Sequence, residues 1–499
     1  MDIFGAVVTT TTLVLQFVGA CGEFSSDAKS LKARLDWDLQ RLQQIRESFV
    51  QVRDSDAIPY LTPENAALLQ QTSEYLDSLV NKVHKSLRRL KRKGWLHTTI
   101  NMSTWVARRS QIQDMATEIH QWTERLNLRV LCLPEEVRAS MTAPSNVIDK
   151  AHVPWLLRNY HRLREFIALS TDMKLSRARA MLPDSSVEIL SKVLAMGDVS
   201  SLPFEYGAQH VIFSCRKVSE NISPGTAEFE TLFWEMGELA AALNCLDPTT
   251  NIRLLKVEFY LYHPDSKQFL FAHIPPYRID VMMTLEELIM YDQFPETDVP
   301  LNECLKVAYK LAEAIFFLHT AGFLHKNITS HSVVILRRFG PQVGEEGPQQ
   351  MVDEAYLMGF DLIRGIEATT YNEGASHQRD QRQRNIWDFD IFQHPHRLRG
   401  VNSPRYIKTY DVYSLGVVLL EIGFWRTLPM ISGQLEKKDP SLWGEELALI
   451  VPDMSRRVGE RYKRMVQWCL GLSGDQIVKD NEFVQEILDP LEEMMTALS

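Results

Sequence analysis

Leu31, Leu35, Leu39, Leu42, Ile45 and Phe49 recur at intervals of three and four, the spacing that lines up one face of an α-helix. A second stripe starts with Thr62 as N-cap, Pro63 as first helical residue and Glu64 in the first turn. It continues through Leu68, Leu76, Leu79, Val83, Leu87 and Leu90, and a third runs through Trp105, Ile112, Met115, Ile119, Trp122 and Leu126. A helix with one apolar stripe must bury it against another element, so this part of the chain is restricted to a helical bundle whose stripes form the core. Pro134 to Pro144 reads as the exit from that bundle. Trp155, Leu156, Tyr160, Leu163, Phe166 and Ile167 then form a further helix that bridges to the second half.

The pattern changes after that bridge. Val211 to Lys217 alternates as a strand does, Leu305, Ala308, Leu311, Ala312, Ile315 and Leu318 form a helix ending near His319, and Val333 to Leu336 is a β-branched run. The 499 residues suffice for two to three domains. The expected organisation is multidomain, with an all-α bundle over 1–140, a helical brace over 141–185 and an α+β domain over 186–499. A net charge of −10 argues against nucleic acid as a partner. The cysteines at 21, 132, 215, 245, 304 and 469 include no C-x-x-C pair, which suits a reducing cytoplasm and disfavours zinc or a disulfide framework.

Phe323-Leu324-His325-Lys326-Asn327-Ile328, directly after the helix, resembles the catalytic loop of protein kinases with Asn327 in place of the aspartate that accepts the substrate proton. A neutral amide cannot serve as that base. Ala355-Tyr356-Leu357-Met358-Gly359-Phe360-Asp361 resembles the kinase metal-binding triplet and the strand before it, with Gly359 at the magnesium ligand and Asp361 where Gly is usual. Ser332 falls on the second metal ligand and is a poor donor for a hard cation. Asp411-Val412-Tyr413-Ser414-Leu415-Gly416-Val417-Val418-Leu419-Leu420-Glu421 closely resembles the start of the buried central helix of a kinase C-lobe. Together with Tyr462 to Leu470, these segments resemble a kinase-like domain found in many fungal proteins and imply an α+β bilobal fold. No G-x-G-x-x-G loop precedes the strand Val211 to Lys217. Alternation favours Lys217 as the phosphate-pairing lysine, with Arg216 as the alternative. Glu235 stands where the helical partner of that lysine would be, or is a solvated helix charge. Phe271-Ala272-His273-Ile274 reads as the nucleotide-binding hinge, centred on Ala272 and His273. No cofactor is expected beyond ATP bound weakly and without hydrolysis.

Lys82, Lys85, Arg88, Arg89, Lys91, Arg92 and Lys93 end the second stripe beside Trp95. Such a cluster suits an anionic lipid surface, at about 1 kcal/mol per basic residue, or a solvated helix end. The first 22 residues carry no charge after Asp2 and include Ile3, Phe4, Val7 and Val8. They lack the basic start of a signal peptide and are rich in Thr for a span, so they read as an apolar helix packed in the bundle. This opening and the helices after it resemble the HeLo and HeLo-like bundles of filamentous fungi, which permeabilise membranes in cell death and heterokaryon incompatibility. A bundle joined to a kinase-like domain is also the architecture of mixed-lineage kinase-like pseudokinases of necroptosis.

The resemblance implies a cytoplasmic pseudokinase that moves to the plasma membrane when triggered. Its expected partners are anionic lipid, further copies of itself and an upstream receptor or kinase, with no metal. Between Asp361 and Pro395, Thr369, Thr370, Tyr371 and Ser376 lie near Arg379, Arg382 and Arg384, a composition that fits a phosphorylation switch or a polar loop. His394-Pro395 stands where the usual Ala-Pro-Glu ends such a segment. Two other readings are a divergent active Ser/Thr kinase using ATP and a non-catalytic scaffold.

Overall fold

The computed structural model describes residues 25–53, 102–142, 155–183, 204–206, 209–218, 222–247, 252–292, 299–339, 351–359, 364–365, 389–398 and 404–498, with isolated positions between 12 and 18 and between 62 and 85. The fold combines helices with small antiparallel sheets and divides into two compact units, Met1–His161 and Arg162–Ser499.

In the first unit, α1 (Ser26–Arg53) packs on α2 (Met102–Arg129) and on α3 (Glu135–Thr142). Leu31, Leu35, Leu39, Leu42 and Ile45 from α1 are buried, as are Trp105, Ile112, Met115, Ile119, Trp122 and Leu126 from α2. Each such side chain contributes about 1.5–3 kcal/mol on leaving water. The core also holds Asp38, fully buried, whose Oδ1 lies 2.9 Å from His120 Nδ1 and so cross-links α1 to α2. Pro63 is helical and the Ala66 N–H donates to the Thr62 carbonyl at 2.8 Å, the first bond of a helix that begins with proline. The Phe49 side chain and the rest of the second stripe, Leu68 to Leu90, lie outside the described residues.

The division between the units falls inside α4 (Trp155–Ala168). The next helix, α5 (Thr171–Ala180), is capped by Ser170, whose side chain accepts the Met173 N–H. It is no free brace, because Met181 at its end accepts the Tyr260 N–H at 3.2 Å and Lys174 pairs with Glu238 at 3.2 Å, both partners belonging to the second unit.

Strands β1 (Phe204–Tyr206) and β2 (Gln209–Lys217), helix α6 (Ala227–Asn244), then β3 (Lys256–His263) and β4 (Gln268–Ile274) build an antiparallel sheet in the order β1-β2-β4-β3. Period-two alternation gives this sheet two apolar faces. Phe229 and Phe233 of α6 pack on Tyr260, Tyr262 and Phe269, while Val211, Phe213, Phe259, Leu261, Leu270 and Ala272 form a separate cluster. Beyond β5 (Val281–Thr284), α7 (Leu285–Asp292), α8 (Leu301–Ala321) and β6 (Phe323–Leu324), strands β7 (Val333–Phe339) and β8 (Met351–Leu357) form with β5 a second sheet in the order β5-β7-β8. Strand β6 pairs with β9 (Arg364–Gly365). Ile212 of the first sheet and Leu255 just before β3 meet Val334, Leu336 and Tyr356 of the second sheet and Met358 just after β8 in one buried cluster.

Helix α9 (Lys408–Phe424) is buried along its whole course from Thr409 to Gly423, as its mostly apolar sequence permits, with Asp411, Ser414 and Glu421 buried among the apolar residues. Then follow α10 (Leu428–Ser432), α11 (Trp443–Ile450), α12 (Ser455–Leu470), α13 (Asp480–Phe483) and α14 (Asp489–Ala497). Gly416 lets α9 and α12 touch, since a Cβ there would lie 2.5 Å from Cys469 Cβ.

Candidate functional site

The loop at residues 325–332 is positioned by one carboxylate. Asp411, in the first turn of α9 and wholly buried, accepts the His325 N–H at 2.8 Å and faces His319 Nε2 at 2.9 Å through Oδ2. Its Oδ1 accepts the Lys326 N–H at 2.9 Å and the Tyr406 hydroxyl at 2.8 Å. Burial alone would lift this carboxyl, but the hydrogen bond and charge of His319, with His325 and the Lys326 N–H, hold it below the usual carboxylate range. Lys326 adopts φ +65°, a left-handed turn that costs a non-glycine residue about 1–2 kcal/mol. Its chain is buried and carries Nζ over the Tyr406 ring, 5.6 Å from the centroid. The loop is therefore held in its turn by bonds to Asp411 that outweigh the strain.

Asn327, Ser332 and Gly359 come together here. Asn327 Nδ2 donates to the Gly359 carbonyl at 3.1 Å, and the Met358 N–H donates to the Ser332 carbonyl at 2.7 Å. Ser332 Oγ is already committed, donating to the Thr329 carbonyl and accepting the Thr329 N–H, each at 2.9 Å. Gly359 has φ +73°, and a Cβ on it would lie 2.9 Å from Ser332 Cβ. Backbone shape as well as residue type thus keeps a carboxylate from the first metal position. Among the described residues no group of three or more His, Cys, Asp or Glu could hold a metal ion. Phe360 and Asp361 lie outside the described residues.

Strand β2 turns Arg216, the alternative to Lys217, toward α6, where its Nη1 contacts Met236 Sδ at 3.2 Å beside the half-buried Glu235. Cys215 instead packs with Phe213 in the opposite cluster. The Lys217 backbone pairs with Gln268, and its side chain lies outside the described residues. Arg216 is thus a basic residue of β2 that meets α6, on the strand face opposite Cys215. Ala272 and His273 are fully buried mid-strand in β4, with ladder partners on both β2 and β3. His273 Nε2 lies 2.8 Å from Ser214 Oγ, and burial pushes the ring down to about 4. These two side chains belong to the sheet core, so no open edge is available at them. The chain leaves the sheet only after Ile274, at Pro275-Pro276, where neither residue has an N–H to offer.

Lys85 is helical and exposed. Ile3, Phe4, Val7, Val8, Arg88, Arg89, Lys91 and Arg92 lie outside the described residues, as do Thr369, Thr370, Tyr371 and Ser376. Among the described residues no single helix is long and apolar enough to cross a membrane.

Sequence reasoning took Asp411 only as the start of a helix. The available signal was a carboxylate opening a mostly apolar run, which must be paired if buried. It also missed Arg253, in a left-handed turn at φ +60°, whose Nη1 donates to Glu354 at 2.9 Å while Tyr356 donates to the same oxygen at 3.0 Å. That partly buried pair ties the chain before β3 to β8. No protein-family model matches this chain, and no curated protein is significantly similar to it.

Proposed function

We propose that the C-terminal unit is a protein-kinase-like, bilobal domain that has lost phosphoryl transfer. On this reading the protein is a signalling pseudokinase whose N-terminal bundle oligomerises and binds or permeabilises anionic membrane in regulated cell death of the fungal type. The observation that carries the first half is the Asn327–Gly359 hydrogen bond at 3.1 Å. It joins the position that needs a base to the position that needs a metal ligand, and neither supplies a carboxylate. Phosphoryl transfer depends on positioning and on neutralising phosphate charge, so a loop held in place without those groups suits a signalling scaffold better than a catalyst. Support for the bilobal reading comes from the two sheets on either side of one buried cluster and from the buried α9 beneath the loop.

The membrane half rests on the basic cluster from Lys82 to Lys93 and the opening of the chain, which carries no charge from Ile3 to Gly22. Two assays test the whole. Purified full-length protein should transfer no phosphate from magnesium-ATP; autophosphorylation abolished by Arg216→Met or Lys217→Met would sink the first half. Residues 1–161 should leak vesicles rich in phosphatidylserine and spare neutral ones. Reversing Lys85, Arg88 and Arg89 to Glu should abolish that leakage, and wild-type rates from the reversed protein would remove the basic cluster from the argument.

A further inference from the structure

The chain passes from the first sheet of the second unit to the second sheet once, through residues 275–280 between β4 and β5. A two-lobed domain that opens and closes does so at such a link, where a few residues absorb the change in φ and ψ. Here the link has little freedom. The rings of Pro275 and Pro276 fix φ at two of its residues. The Tyr277 hydroxyl donates to the Leu336 carbonyl at 3.3 Å, Arg338 lies over the Tyr277 ring, 4.6 Å from its centroid, and Ile279 is buried in the cluster between the sheets. The Asp280 N–H donates to the Arg337 carbonyl at 2.9 Å, and its carboxylate accepts the Phe339 N–H at 2.8 Å. The link is thus fastened along β7.

A second attachment lies at the other edge. The second sheet runs β5-β7-β8, so β5, which continues the link, and β8 are its two edges. At the end of β8 the Leu357 N–H donates to the Arg253 carbonyl at 2.9 Å, and Leu254 forms a parallel bridge with Leu357. Three residues after Arg253 the chain enters β3 of the first sheet. The Arg253 side chain, 7% exposed, pairs with Glu354 at 2.9 Å and lies over the Tyr356 ring, 5.3 Å from its centroid. The Tyr356 hydroxyl donates to the same Glu354 oxygen, and the Tyr356 side chain faces Tyr277. Contacts therefore run without a break from Arg253 through Glu354 and Tyr356 to Tyr277, from one attachment to the other. A rotation that opened the sheets about the link would have to pull Arg253 and Leu254 off β8, leaving the Glu354 carboxylate without its guanidinium.

We propose that Arg253, Glu354, Tyr356 and Tyr277 form a two-point latch that removes the hinge between the two sheets, so that they move as one block. A sheet held at one edge can swing, and one held at both edges cannot. The left-handed turn at Arg253, φ +60°, fits this role, since a non-glycine residue keeps such a conformation only where its surroundings hold it. The inference concerns how the sheets are joined and holds whether or not the unit transfers phosphate.

Hydrogen exchange of the full-length protein, in urea below its unfolding midpoint, separates a local hinge from a locked block. A local opening exposes little surface and ignores urea, whereas opening of the whole unit accelerates with it. Peptides covering 278–284 and 354–358 report the Asp280 and Leu357 N–H groups, and peptides covering 412–420 report the buried α9. In wild type the first two should exchange within about tenfold of α9 and share its urea dependence. Exchange faster than that and independent of urea would overturn the latch. Arg253→Met/Tyr277→Phe keeps both stems and removes the guanidinium and the hydroxyl. In this variant the same two peptides should exchange more than about tenfold faster than α9 and without urea dependence, while α9 keeps its own. Peptides that stay coupled to α9 in the variant would overturn the assignment of the latch to these side chains. Should the variant not fold, the wild-type comparison decides alone.

Discussion

Asp411→Asn keeps the shape of the residue that holds the 325–332 loop and removes its charge. Four donors converge on the carboxylate: the N–H groups of His325 and Lys326, the Tyr406 hydroxyl and His319 Nε2, at 2.8–2.9 Å. Hydrogen bonds to an ionised group contribute about 1.5–3 kcal/mol each. The amide oxygen of Asn can still accept two of them. Its NH2 must face the other two, donor against donor, in a site out of contact with solvent, Asp411 being 0% exposed. The expected loss is about 3–5 kcal/mol, the range for breaking a buried charged network from one side. At about 2 °C per kcal/mol, the second unit's melting temperature should fall by roughly 6–10 °C. Calorimetry on the full-length protein resolves this from the first unit if the two melt separately. The pH dependence has a definite sign. A carboxyl held below its unfolded value stabilises the fold above about pH 4 and loses that contribution as pH falls through the folded value. The gap between variant and wild type should therefore stay constant from pH 8 to 5 and narrow only in acid. A loss under 1 kcal/mol, or a gap that closes between pH 7 and 5, would refute the ionised anchor.

Glu421 lies buried at the end of α9, accepting the Leu428 N–H at 2.8 Å, and burial pushes its carboxyl up to about 8. Because its folded value lies above the unfolded one, its stabilisation is full in acid and lost as pH rises through about 8. Glu421→Gln should match wild type near pH 4 and be the more stable protein at pH 9 by chemical denaturation. Gly416→Ala places a Cβ 2.5 Å from Cys469 Cβ between two helices and should cost about 1–3 kcal/mol, read as a lower denaturation midpoint with unchanged slope. Gly359→Asp, alone or with Asn327→Asp, should create no magnesium-dependent thermal shift. The left-handed φ of +73° and the approach to Ser332 cost about 1–2 kcal/mol or more before any metal could bind.

The elements with long, single-period apolar patterns were legible in the chain itself. The stripes from Leu31 to Ile45 and from Trp105 to Leu126, the helix ending near His319 and the run from Asp411 to Glu421 all lie buried where the spacing put them. Periodicity is a local property, and a residue's face within its own element follows from its index. What a strand's face looks at is not local. That Arg216 meets α6 is set by how β2 pairs with β4 and on which side α6 packs, and a shift of one residue would turn it to the other face. Burial of Ala272 and His273 has the same origin, because β4 folds back on β3 and pairs with β2 on its other side, closing both edges that a sequence reading leaves open as a hinge. The meeting of Asp411 with His325 and Lys326, 86 and 85 positions apart, likewise required the fold. Residue identity alone decided that Asn327, Ser332 and Gly359 bring no carboxylate to the loop. Only the tertiary structure decided that they touch, that Gly359 sits in a conformation which resists a side chain, and that His325 and His394 face carbonyls from other segments. A hydrogen bond across the chain depends on where distant segments are placed, and no short window of sequence contains that information.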